Sequence, residues 1–147
     1  GNDIPKELTD LASQKAIFDQ IIKNYDRRPA NPNCLFKGDD LLIFDHELAF
    51  GTTLFQKQPW ENEGLNDLSL KDKHIFAAPY FKNKPFDFSQ FILNWKNITD
   101  KRFQEYVSCI PVEWSQQGTT TTQIINDLKQ ARDQIELICS EALKVFK

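Results

Sequence analysis

Three oxygen-bearing side chains stand at spacings that could hold a hard cation beside a reacting hydroxyl. Asp26 and Asn31 are five residues apart on a turn pinned by Pro29 and Pro32, so both side chains can point into one cleft. Asp45 closes the apolar run Leu41-Leu42-Ile43-Phe44, which would deliver a carboxylate to the end of a strand. Oxygen ligands of this kind suit Mg²⁺, which takes a few carboxylates together with phosphate oxygens and water. A further carboxylate can then orient a hydroxyl nucleophile. Alone, Asp26 with Asn31 is an ordinary helix end followed by an Asn/Pro turn. The spacing onward to Asp45, across an intervening hairpin, sets the stretch apart.

The elements that must position these groups follow from periodicity. Leu8, Leu11, Phe18, Ile21, Ile22 and Tyr25 predict a helix over residues 8–25, ending near Asp26 because Pro29 disfavours helical geometry at Arg28. Residues 34–45 predict a β-hairpin, with turn chemistry at Gly38-Asp39-Asp40. Residues 51–68 read mostly as loop. Ser69, Asp87 and Thr99 are candidate caps for helices over about 70–81, 88–97 and 100–109. Pro111 suits the first turn of a short helix holding Glu113 and Trp114. The threonine run at 119–122 leads into the longest predicted helix, 122–146, with Ile125, Leu128, Ile135, Ala142 and Phe146 on one stripe. The order predicts one α+β domain, mostly helical, with one short hairpin (about 34–45) packed on helices.

Composition narrows the function classes. Twelve phenylalanines and three tryptophans argue for a packed core rather than disorder. A net charge of −3 argues against nucleic acid as the main partner, because phosphate neutralisation needs a basic face. No run approaches the roughly 20 apolar residues of a membrane span, and the first residues lack the layout of a signal peptide. Cys34, Cys109 and Cys139 are an odd number at wide spacings, read as reduced, small apolar side chains in a cytoplasmic protein. His46 reads as a packed or exposed histidine rather than a catalytic one, and His74 and the tryptophans read as packing residues. Arg27 or Arg28 could meet a phosphate, with solvation at the surface the simpler expectation. The absence of Met, with Gly1 first, leads us to expect a fragment.

The segments around the three oxygen ligands carry a resemblance. Asp-x-x-x-x-Asn, a hairpin, then an aspartate ending the second strand resembles the catalytic and metal-binding segments of the protein-kinase-like fold. The segment Phe18 to Arg28 and the run Leu42-Ile43-Phe44-Asp45-His46-Glu47-Leu48-Ala49-Phe50 resemble those of HipA-like kinases, and Ile110-Pro111-Val112-Glu113-Trp114 resembles a Pro-x-Glu-Trp feature of that family's helical tail. The resemblance implies the C-terminal lobe of such a kinase, with catalytic and metal segments at 18–50 and a helical subdomain at 69–147. It implies Asp26 as catalytic base or hydroxyl-orienting group, and Asn31 and Asp45 as Mg²⁺ ligands, with Asn33 in reserve. Its cofactors would be ATP and Mg²⁺, and its acceptor a hydroxyl, on a protein.

The chain also departs from that pattern. Asn24 stands where a histidine usually precedes the aspartate, and Asp45-His46-Glu47 replaces Asp-Phe-Gly. Only 25 residues precede Asp26, with neither a Gly-rich loop nor a Val-Ala-x-Lys strand. An N-terminal nucleotide lobe is therefore expected to be a missing partner, and the fragment alone inactive. The alternatives are a degenerate kinase lobe acting as a binding module, and a small-molecule kinase of the aminoglycoside type.

Overall fold

The computed structural model describes residues 8–51, 57–62, 64–65, 69–113 and 121–146. Among these residues are five helices and one two-stranded sheet that packs on α1: α1 (Thr9–Ile21), β1 (Cys34–Lys37), β2 (Asp40–Ile43), α2 (Ser89–Lys96), α3 (Asp100–Ser108), α4 (Thr121–Asp133) and α5 (Ile135–Phe146). The fold class is α+β, mostly helical. Of the predicted short helix, Pro111 to Glu113 are described, with 112–113 in a 3₁₀ turn, while Trp114 and the threonines at 119 and 120 lie outside the described residues.

α1 stops at Ile21, before the proline that was expected to end it. The cause is a Schellman motif. Lys23 takes a left-handed conformation (φ 58°), its N–H reaches the Gln20 carbonyl at 3.2 Å, and the Asn24 N–H reaches the Asp19 carbonyl at 2.8 Å. Glycine usually fills this position, so a lysine there gave no warning in the sequence. The next four residues are thereby released to build a loop.

The hairpin forms as expected. β1 and β2 pair antiparallel with Cys34 opposite Ile43 and Lys37 opposite Asp40. Gly38 (φ 59°) opens the two-residue loop, a left-handed conformation that costs glycine little. Leu41 is buried, whereas Leu35 (59% exposed), Leu42 (54%) and Phe44 (45%) form an apolar outer face.

No helix forms over 70–81. Two 3₁₀ turns, Ser69–Lys71 and Ala78–Tyr80, flank an irregular stretch. Pro79 cannot continue a helical ladder, and the N–H groups of Ile75 and Phe76 go elsewhere: to the Arg27 carbonyl at 3.0 Å and to Nδ1 of His74 at 3.0 Å. His74 is a structural residue, in an irregular stretch rather than a helix.

Downstream, Thr99 Oγ1 accepts the Arg102 N–H at 3.2 Å, so that expected cap is made; α2 instead has Phe88 at its N-cap with no side-chain cap, and Asp87 Oδ1 accepts the Ser89 N–H at 2.8 Å from one residue further out. The predicted 122–146 helix is interrupted once, at Gln134, although Gln134 N–H to Gln130 O and Ile138 N–H to Gln134 O carry the bonding across. Each half serves a different neighbour. α4 is tied to α3 by Lys129 and Arg132 on Asp100, while α5 buries Ile135, Ile138, Cys139, Ala142 and Phe146 in the core. Phe146 stacks on Phe81 (4.6 Å between ring centres) and Phe86 (5.4 Å). Of the cysteines expected to be buried, only Cys139 is; its burial pushes the thiol up to about 12. Cys34 is half-buried and Cys109 exposed.

Candidate active site

The loop after α1 is organised by one guanidinium. Arg27 is 1% exposed, against the expectation of a solvated or phosphate-facing arginine. Its Nε donates to Asp19 Oδ2 at 2.6 Å and its Nη2 to Asp19 Oδ1 at 3.3 Å, a bidentate pair. Its Nη1 donates to the carbonyl oxygens of Asn33 and, at 3.2 Å, Phe44. Nη2 also donates to His46 Nε2 at 3.1 Å. One side chain therefore ties together the end of α1, the Asn/Pro loop and the residues flanking Asp45.

Asp19 anchors this hub from the helix. His74 Nδ1 accepts the Phe76 N–H, so that nitrogen carries no proton and Nε2–H donates to Asp19 Oδ2 at 3.0 Å. Asn24 Nδ2 donates to Asp19 Oδ1 at 3.2 Å. Burial opposes the charge on Asp19, but the bonds from His74 and Arg27 and the guanidinium charge outweigh it and hold the carboxyl below its ordinary 3.8. The second buried amide on this turn is less well served. Gln20 is fully buried, and neither its Oε1 nor its Nε2 has a partner among the described residues.

Asp26, Asn31 and Asp45 take their places around this frame. Arg28 and Asn31 exchange backbone bonds at 3.1 and 2.8 Å, closing the tight turn through Pro29. The turn sets Asn31 Nδ2 on Asp26 Oδ2 at 2.5 Å, and Arg28 Nη2 donates to Asp26 Oδ1 at 2.9 Å. On the hairpin side, the Phe44 N–H reaches the Asn33 carbonyl at 3.1 Å, extending the ladder one residue past the strands. That register sets Asn33 Nδ2 on Asp45 Oδ2 at 3.3 Å. Asn33 (φ 42°) and Asp45 (φ 57°) are both left-handed, a conformation these two residue types tolerate best after glycine and one that concentrates at functional sites. The structure thus makes two carboxylate–amide pairs, Asp26 with Asn31 and Asp45 with Asn33. Asn33, rather than Asn31, is the amide in contact with Asp45.

The donor set fits a hard cation. In both pairs the amide gives its N–H to the carboxylate, leaving Asn31 Oδ1, Asn33 Oδ1 and Asp45 Oδ1 as oxygen acceptors on one loop pair. No cluster of three or more His, Cys, Asp or Glu side chains suited to a metal occurs among the described residues. A cation here would have to draw on amide as well as carboxylate oxygens.

Sequence reasoning singled out the loop residues Asp26, Asn31, Asn33 and Asp45 and missed the buried residues that hold that loop. Asp19 carried a signal: the small-residue stripe of Ala12 and Ala16 on α1 runs on into Asp19 and Gln20, which are buried like them. An acid on a helix's core face calls for a buried cation.

The family model for HipA-like kinases matches residues 2–144. That match and this site define a kinase-like protein. The chain belongs to the HipA-like kinase family. No curated protein and no solved structure matches the chain.

Proposed function

We propose that this chain is the C-terminal lobe of an ATP- and Mg²⁺-dependent phosphotransferase, which moves the γ-phosphoryl group to a hydroxyl on a protein. The observation that carries the proposal is the Arg27 hub, which holds the Asp26–Asn33 loop against the strand end bearing Asp45. Asp26 orients the acceptor hydroxyl and takes its proton on a carboxylate oxygen. Arg28, exposed and paired on Oδ1, is the partner a hydroxyl displaces, since such surface pairs contribute little. Asn31 keeps the other oxygen in place. Asp45, with Asn31 and Asn33, would hold the cation. A Mg²⁺ ion held by these residues would supply charge neutralisation for a transferring phosphoryl group. Most of the contribution is positioning, because phosphoryl transfer asks little covalent chemistry of the protein.

The apolar outer face of the hairpin (Leu35, Leu42, Phe44) adjoins Asp45 and supports a nucleotide-clasping lobe seated on that side. The proposal places that lobe outside residues 1–147 and the protein in the cytoplasm; no helix among the described residues is long and apolar enough to cross a membrane. The same face is what a non-catalytic docking module would use. ATP turnover and transfer to protein acceptors, measured on the protein joined to its nucleotide-binding lobe, separate the two. Asp26→Ala and Asp45→Ala should each lower transfer by at least about 10²-fold. Unchanged transfer in both variants, or none in the parent, would overturn the kinase proposal.

A further inference from the structure

A concavity opens beside α1 and is lined in part by Ile43 and His46, which flank the Asp45 segment. It has a volume of about 890 Å³ and is walled by α1, the segment after β2, and helices α2, α3 and α4. This is within the usual size range of small-molecule sites. The walls are largely aromatic, with Phe18, Phe91, Trp95 and Tyr106 among them. Leu11, Phe18 and Ile22, the apolar stripe that the sequence assigns to core packing, face this space.

Among the described residues no acidic side chain lines it, and the cation Lys15 does. Lys15 is half-buried and has no hydrogen-bond or ion-pair partner among the described residues. It sits one turn before Phe18 on the stripe that reaches Ile22, so its ammonium shares the apolar wall's side of the helix. Gln14, His46, Asn94 and Tyr106 are the other polar groups on its walls. A largely apolar cavity with a cation unpaired among the described residues complements an apolar body ending in an anion.

We propose that this cavity binds an amphiphilic carboxylate, its acyl chain against Phe18, Phe91 and Trp95 and its head group on Lys15. The cavity shares His46 with the Arg27 hub, but the binding itself does not require phosphotransfer.

The test is titration of the protein with octanoate, decanoate and 1-decanol, by calorimetry and by backbone amide shifts. Saturable one-to-one binding is expected, tightening about tenfold from octanoate to decanoate as two more methylenes leave water. Shifts should centre on α1 and α2. Lys15→Met should weaken decanoate about tenfold and leave 1-decanol unchanged. Because Lys15 is only half-buried and unpaired, this variant should keep the parent's melting temperature, and Lys15→Arg should retain decanoate binding. Absence of saturable binding, equal decanoate affinity in Lys15→Met, shifts confined to the hairpin's outer face, or a concentration-dependent dimer that buries Phe91 and Trp95 would each overturn the proposal.

Discussion

Arg27 Nε donates to Asp19 Oδ2 at 2.6 Å, and neither side chain has exposed surface. Two opposite charges removed from water in this way are not a simple gain, because each has lost its hydration. Their value here is geometric. The guanidinium has donors left for the Asn33 and Phe44 carbonyls and for His46, so the pair sets where the loop and the strand end meet.

Breaking the pair from one side should therefore cost far more than removing both charges. Arg27→Met leaves Asp19 buried without its cation and should lower stability by about 3–5 kcal/mol in urea unfolding. Asp19→Asn combined with Arg27→Met should lose less than the sum of the two single changes, since no charge remains stranded. An additive result would show that the two groups do not act as a unit.

Acid should reach the same pair. Asp19 ionises more readily in the folded chain than its ordinary 3.8, so the unfolded chain binds the proton more tightly and acid favours unfolding. This stabilisation is fully present above about pH 4 and is lost as pH falls through the lower, folded value. Asp87 and Asp100, held low by Ser89 and by Arg132 with Lys129 respectively, act in the same direction. Urea unfolding of the parent and of Asp19→Asn should thus differ in slope below about pH 4 and run parallel above it. Parallel curves throughout would remove Asp19 as the group responsible.

Gln20 is a buried amide with two unpartnered polar atoms. Replacing it with an apolar side chain of similar length removes that desolvation cost, so Gln20→Met should raise stability by about 1–3 kcal/mol. Loss of stability would show that the amide has a partner, such as a buried water.

Lys23 holds the left-handed position of the Schellman motif at φ 58°. For a residue with a Cβ this conformation costs about 1 kcal/mol. Lys23→Gly should recover about that amount in thermal unfolding, less the small contribution of the long 3.5 Å contact with Asp127. A drop in melting temperature would mean that the Asp127 contact outweighs backbone strain.

Local chemistry was legible where it is short in range. Turn chemistry at a glycine between two short apolar runs predicted the hairpin, and Thr99 and Asp87 predicted where two helices start, because each depends on a few adjacent residues. The spacing of Asp26, Asn31 and Asp45 led to the family that the comparison established. The residues 70–81 failed for the opposite reason. Their helical pattern was overridden by bonds to Asp19 and Arg27, some 50 residues away in the chain.

The order of residues by itself determined the fold class, the hairpin and the kinase-like family, since these rest on periodicity, turn chemistry and motif spacing. Only the tertiary structure decided that Arg27 is a buried hub rather than a surface charge, that Asn33 is the amide beside Asp45, and that α1's apolar stripe faces a cavity. The reason is physical: burial and pairing depend on which distant groups arrive at the same place, and no local spacing encodes that arrival.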